Sequence, residues 1–341
     1  MTCLHCGDSG SAAGSKFCEG CGQPLLPLTS QAVPAAKDAL ACACSPAASA
    51  PDADGFCNNC GVRCIVAVSA ASAAGVSNAH YWCDEPDARL AMISDIGRRH
   101  SHNEDCGSAG LSPNNAAVLV VADGVSSSFH SAQASATAVE LVSAGLSAHD
   151  GTLAQEDVMH SAIMAAHQAI MQLPAGAAAN LDEPECTLVA ALVADGTATI
   201  GWVGDSRAYL ISGNAERCLT VDDSWVEEVV AAGLYSRAAA SADRRAHYVT
   251  QVLGMRDGPV AVHVLSTGMA ADDVLLLCSD GLWNYFQQDG SLAARVGQIK
   301  QELGVDVSAK AVCQALVDDA NAQGGHDNIT VAMLMGRLLE R

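Results

Sequence analysis

Residues 118–124 read VLVVADG, an unbroken apolar run that ends on an acid and a glycine. Such a run is a strand buried on both faces, stopped by a turn that delivers a carboxylate to its end. The pattern returns at residues 274–281, VLLLCSDG, where the acid is Asp280. A third acid, Asp327 in GGHDNITV (residues 324–331), precedes a β-branched run that starts at Ile329. A lone Asp-Gly, such as Asp195-Gly196, simply marks a turn. Three acids at the ends of apolar strands, with little Lys or Arg nearby, ask for more. Crowded carboxylates raise one another's pKa unless a cation compensates. Carboxylates and the backbone carbonyls of tight glycine turns suit Mg²⁺ or Mn²⁺ better than Zn²⁺.

Of the 341 residues, half are hydrophobic and 16% are charged, which supports one large core with small appendages. Abundant Ala and few aromatics favour a helix-rich exterior. The net charge of −21 argues against a nucleic-acid or anionic-membrane partner, since both require basic patches. No apolar run approaches the length of a membrane span, and the opening MTCLHCGDSG has no signal-peptide pattern. The expected compartment is the cytoplasm. Fifteen cysteines in such a chain point to metal binding and reduced thiols rather than disulfides.

Eight of these cysteines form four pairs before residue 61. Cys3 with Cys6, and Cys18 with Cys21, have the CxxC spacing of a zinc ribbon, expected over residues 1–26. Cys42 with Cys44, and Cys57 with Cys60, form a second ribbon-like module over residues 41–66. That module is the weaker match because its first pair is one residue short; oxidised pairs or lost ligands are the alternative. Cys64 is a spare thiol that could substitute. Gly7, Gly22 and Gly61 each follow a pair, letting backbone N–H groups turn toward the sulfurs. Modules this small would take their folding energy from one or two Zn²⁺ ions. Closed Cys₄ sites leave no position for substrate, so their expected task is to dock a protein partner. Residues 27–40 and 67–88 read as linkers, with residues 80–82 an aromatic spot in the second. The main domain is expected over residues 89–341.

Within it, residues 89–96 read as a strand that runs into SDIGRRHSHNEDCG, where His100, Asn103, Glu104 and Asp105 crowd together. Ser126, Ser127 and Ser128 are placed to cap a helix over residues 132–146, and a second helix covers about 153–172. Residues 186–194 and 197–203 form a hairpin across Asp195-Gly196. The second strand enters GDSRAYLI, with Asp205 and Arg207. A helix–loop–helix pattern spans residues 224–245, and residues 260–265 and 274–278 are the next strand pair. Helices near 291–303 and 308–323 precede a last strand at 329–335. Antiparallel strands in succession with helices in pairs give an α+β layered fold. Cys106, Cys186, Cys278 and Cys313 read as small buried residues, and Trp202 and Trp283 as core.

Five motifs stand in order: SDIG…NED (94–105), VVADG (120–124), VGDSRAYLI (203–211), LCSDGLW (277–283) and GGHDNITV (324–331). Together they resemble the metal-dependent Ser/Thr protein phosphatases of the type 2C-like (PPM) family, bacterial type. The resemblance covers about three-quarters of the chain. It implies a four-layer α/β/β/α sandwich of two antiparallel sheets, with a binuclear Mn²⁺ or Mg²⁺ centre in a cleft at their edge. Carried onto this sequence, Asp123 bridges both ions and the Gly124 carbonyl binds one of them. Asp280 and Asp327 hold the other ion, Glu104 and Asp105 anchor ion-bound waters, and Asp205 matches a position linked to a weaker third ion. Two cations about 3.5–4 Å apart acidify a bridging water and clamp phosphoryl oxygens, so phosphorus is attacked in line. The implied substrates are phosphoSer/phosphoThr proteins, among them a cognate Ser/Thr kinase or its targets.

Two positions depart from the family pattern. His100 replaces the Arg that usually grips the substrate phosphate; an imidazole can still donate there, best when protonated. Val125 stands where some eukaryotic members place a His proposed as general acid. The serines at 126–128 replace glycines common in the family, which stiffens the loop. Arg207 reads as an internal ion-pair partner, and His130 and His326 as residues beside the ligands. The competing reading is a pseudophosphatase, a phosphoprotein-binding module with a degenerate cleft. The complete set of acids favours an enzyme, and only His100 leans the other way. A nuclease conflicts with the acidic charge. Residues 224–245 occupy the family's variable flap and are expected to shape substrate access.

Overall fold

The computed structural model describes residues 81–174, 183–304 and 306–336. The eight cysteines expected to bind Zn²⁺ lie outside the described residues: Cys3, Cys6, Cys18 and Cys21 of the first ribbon, and Cys42, Cys44, Cys57 and Cys60 of the second. The structure therefore shows neither ribbon. The described strands form two antiparallel sheets. The six-stranded sheet runs β1 (Tyr81–Asp87), β2 (Leu90–Asp95), β11 (Ile329–Met335), β10 (Val274–Cys278), β7 (Arg207–Ser212), β8 (Ala215–Cys218). The five-stranded sheet runs β3 (Cys106–Leu111), β4 (Ala117–Ala122), β5 (Leu188–Ala194), β6 (Thr197–Val203), β9 (His263–Gly268). The helices are α1 (Ser131–Ser147), α2 (Gln155–Ile170), α3 (Trp225–Ala231), α4 (Arg237–Ser241), α5 (Asp280–Trp283), α6 (Ser291–Leu303) and α7 (Ala309–Ala322).

Alternation along the central strands explains why they are apolar throughout. Val118, Val120 and Ala122 of β4 face α1 and α2, while Leu119 and Val121 face the other sheet. In β10, Val274, Leu276 and Cys278 face α6 and α7, and Leu275 and Leu277 face inward. Both sheets are therefore covered on both sides, which gives α/β/β/α layers with the inter-sheet core in the middle. The β5–β6 hairpin turns at Asp195 (φ 50°) and Gly196 (φ 72°). Both are left-handed, as a two-residue turn between twisted strands requires. No helix among the described residues is long and apolar enough to cross a membrane.

Three local expectations differ from the structure. Residues 81–87, assigned to the linker, form β1 and pair antiparallel with β2. Their polar sequence belongs to an edge strand with a register shift, where one side needs no apolar cover. The strand expected at 260–265 is β9, which pairs with β6, while β10 lies in the opposite sheet. The two are neighbours in sequence but not in a ladder. Finally, the serines at 126–128 do not cap α1: its N-cap is His130, left-handed at φ 58°, with no side-chain cap.

Candidate active site

The acids gather because the strands that carry them end at the same edge. Asp123 follows β4, Asp280 opens α5 just after β10, Asp327 precedes β11, and Asp105 precedes β3. Asp205 lies between β6 and β7. Small polar side chains stitch these ends together. Ser279 donates to Asp105 Oδ2 at 2.8 Å, and its own Oγ accepts the Thr330 N–H at 3.0 Å. Thr330 meets Ser94 at 2.7 Å, and Asn103 donates to Ser94 at 3.0 Å. Asn328, 2% exposed, accepts the Glu104 N–H at 2.7 Å and donates to the Ile96 and His102 carbonyls at 2.9 and 3.1 Å. One buried amide thus ties the start of β11 to the whole loop between β2 and β3.

Electrostatically the aspartates are one cluster. Burial pushes Asp105 up to about 7; hydrogen bonds from Thr330 and Ser279 oppose this, and the charges of Asp280 and Asp327 add to it. Burial, and then Asp327, raises Asp280 to about 6. Asp123 is driven well above the usual range by burial and then by Asp105, Asp280, Asp205 and Asp327. Asp205 is also held well above it, by burial and then by Asp280 and Asp222. Asp105 Oδ1 and Asp280 Oδ1 are buried without any hydrogen-bond partner. Buried carboxylate oxygens left in that state are costly unless a cation meets them. Among the described residues, no three His, Cys, Asp or Glu side chains close on one point as a finished cage. Mg²⁺ and Mn²⁺ do not require one, since they keep several waters and take few carboxylates. The donor set fits hard divalent cations.

Other expected residues fall around this cluster. His100 Nε2 lies 3.3 Å from Asp327 Oδ1, so the imidazole sits against an acid of the cluster. Arg207 is the expected internal partner: Nε and Nη2 reach Asp222 at 2.9 and 2.7 Å. Its guanidinium also lies 3.6 Å over the Trp283 ring. Trp283 is half-buried rather than core, and its indole N–H donates to the Asp205 carbonyl at 2.9 Å. His326 stacks on Tyr285, and His130 packs edge-on against Phe129 with its Nδ1 buried and unpartnered. Glu104 is turned toward Ser126 and Ser131, at 2.8 and 2.6 Å. Sequence reasoning passed over Ser279, Thr330 and Asn328, although all three lie within the quoted motifs. Their signal was a small polar residue inside an apolar strand end.

Strand-end aspartates gathered at one edge of a two-sheet α/β/β/α sandwich define a candidate site for hard divalent cations. Residues 96–317 match the protein phosphatase 2C family. The serine/threonine phosphatase stp of Listeria welshimeri is 32% identical over 251 residues, covering 73% of this chain and 96% of that one. The serine/threonine phosphatase structure from S. agalactiae superposes with a TM-score of 0.64 at 25% identity, over 75% of this chain and 100% of that one. The catalytic domain of the serine/threonine protein phosphatase PstP, solved with two manganese ions, gives a TM-score of 0.58 at 26% identity, over 72% and 97%. The chain belongs to the protein phosphatase 2C family and is a protein serine/threonine phosphatase.

Proposed function

We propose that this cleft dephosphorylates phosphoserine and phosphothreonine in proteins with two Mn²⁺ or Mg²⁺ ions, held by Asp123, the Gly124 carbonyl, Asp280 and Asp327. Asp105 acts beside them and Asp205 accepts a weaker third ion. The observation that carries this reading is the pair of buried, unpartnered oxygens, Asp105 Oδ1 and Asp280 Oδ1, inside a cluster of mutually repelling aspartates. Bound there, the ions supply an acidified water and neutralise phosphoryl oxygens. The chain's own part is to aim the carboxylates. Ser279 fixes one oxygen of Asp105 so that the other faces the cluster, and Asn284 steadies Asp280 Oδ2 at 3.3 Å. Trp283, pinned under Arg207, holds the Asp205 backbone. His100 keeps one nitrogen toward Asp327 and offers the other to a substrate phosphoryl oxygen.

Around this chemistry, the spacing of Cys3, Cys6, Cys18 and Cys21, and more weakly that of Cys42, Cys44, Cys57 and Cys60, supports zinc ribbons that dock a protein partner. The cysteine-rich composition supports work in the cytoplasm, and the similarity to Ser/Thr phosphatases supports action against a Ser/Thr kinase. The flap, α3 and α4, shapes access for the substrate protein. The test is hydrolysis of a phosphothreonine peptide by the purified full chain, with and without Mn²⁺, beside Asp280→Asn. Turnover should require Mn²⁺ and fall at least roughly 100-fold in the variant, the scale of losing one charge-stabilising group. Turnover indifferent to Mn²⁺ or to the substitution would sink the metal-dependent reading. A folded wild type with no turnover would make the chain a phosphoprotein-binding module instead.

A further inference from the structure

Glu104 commits every polar group it has to neighbouring protein. Its N–H goes to Asn328 Oδ1 at 2.7 Å, and its carbonyl accepts from Gly124 N at 3.1 Å and Ser135 Oγ at 2.6 Å. Its carboxylate takes Ser126 Oγ on Oε2 at 2.8 Å and Ser131 Oγ on Oε1 at 2.6 Å. Ser131 and Ser135 stand one turn apart on the same face of α1, 4% and 0% exposed, so these donors are fixed by helix packing. The negative charge at the first turn of α1 also suits the helix dipole. Between them runs the turn that presents Asp123 and Gly124. There is no slack in it: a Cβ on Gly124 would lie 2.7 Å from the Glu104 carbonyl oxygen and 2.7 Å from that of Ser131.

We propose that Glu104 is a positioning residue: its carboxylate, latched by Ser126 and Ser131, fixes the Asp123–Gly124 turn in the shape that receives a divalent cation, instead of itself anchoring cation-bound water. This reading rests on the metal-dependent assignment of the cleft. It separates two roles that sequence resemblance merges. A latch needs hydrogen-bond capacity at position 104, whereas a water anchor needs negative charge. A glutamine keeps the former, because its amide accepts from one serine and donates to the other, whose hydroxyl turns.

The experiment measures Mn²⁺ uptake by the full chain directly, counting free Mn²⁺ by its paramagnetic resonance signal and taking affinity from calorimetry. Wild type, Glu104→Gln and the double variant Ser126→Ala/Ser131→Ala are compared, each with its melting temperature. A latch predicts that Glu104→Gln keeps the ion count and holds affinity within about threefold. The double serine variant should lose affinity by about 10–100-fold, the usual loss when a residue supporting a metal site is removed. Weakened binding in Glu104→Gln, or unchanged binding in the serine variant, overturns the latch. Should the double variant fail to fold, Ser126→Ala alone, on an exposed side chain, carries the same expectation at smaller size. Wild type that binds Mn²⁺ while the serine variant matches it overturns the latch alone. Wild type that takes up none overturns the metal-dependent cleft with it.

Discussion

His167 on α2 is 4% exposed, and its Nδ1 accepts the Gly254 N–H at 3.1 Å. Burial holds its pKa below the usual imidazole value. In the unfolded chain it protonates near pH 6.5, so between its folded pKa and that value the unfolded state binds more protons. Its contribution is therefore present above about pH 6.5 and lost as pH falls below it. His167→Gln can accept the same N–H without titrating. The melting temperature of wild type should exceed that of the variant at pH 7.5, with the gap narrowing or reversing at pH 5. A gap independent of pH would remove the imidazole from this account. Residues of the site divide by the same logic of what a side chain needs. Asp123, Asp280 and Asp327 were legible because an acid at either end of an apolar strand has few structural uses. Ser279 and Asn328 were not, since a small polar residue near a strand end is ordinary until its partners are known. Glu104 was legible as a member of its motif but not in the direction it faces, which depends on helix α1 arriving from another part of the chain.

At the level of elements, long buried segments could be read and edges could not. The boundaries of α6 follow from its apolar periodicity and those of β11 from an unbroken apolar run buried on both faces. β1 was missed because an edge strand has no such constraint, and the partner of β9 was missed because pairing across the chain leaves no local mark. Glycines show how unevenly the elements tolerate change. At Gly281, in the first turn of α5, a Cβ would lie 1.8 Å from the Asn328 carbonyl oxygen, backbone that cannot swing aside. At Gly297, inside α6, a Cβ would meet nothing within 4 Å. Gly281→Ala should therefore force β10 and β11 apart at the site, costing more than about 3 kcal/mol and weakening Mn²⁺ uptake. Gly297→Ala should stabilise by up to about 1 kcal/mol, because alanine favours a helix interior and narrows the unfolded ensemble. Chemical denaturation of both variants checks the pair. Equal effects would show that the close approach of Asn328 to α5 does not exist in solution.

For the whole molecule, the cleft is a local concentration of the negative charge that the chain carries throughout, −21 in net. Folding forces the aspartates together before any cation arrives, so the cation-free protein should be strained by its own site. The sign follows from the raised values of Asp105, about 7, and Asp280, about 6, against an ordinary value near 3.8. Between 3.8 and these values the folded state binds more protons than the unfolded one, so their contribution to stability falls as pH rises through that window and levels off above about 7. Removing one charge should relieve it. Without divalent cation at pH 7.5, Asp280→Asn should melt a few degrees above wild type, by roughly 2–5 °C for a domain of this size. The difference should shrink toward pH 5 and vanish below about pH 3, where the carboxylates are protonated in either state. Mn²⁺ at about 100 times its dissociation constant should then add about 3 kcal/mol to wild type. It should do much less for the variant, reversing their order. The same substitution that abolishes turnover would thus raise cation-free stability, which no account based on unfolding can produce. A variant less stable than wild type at pH 7.5 without cation would mean that the aspartates do not repel one another as the structure places them.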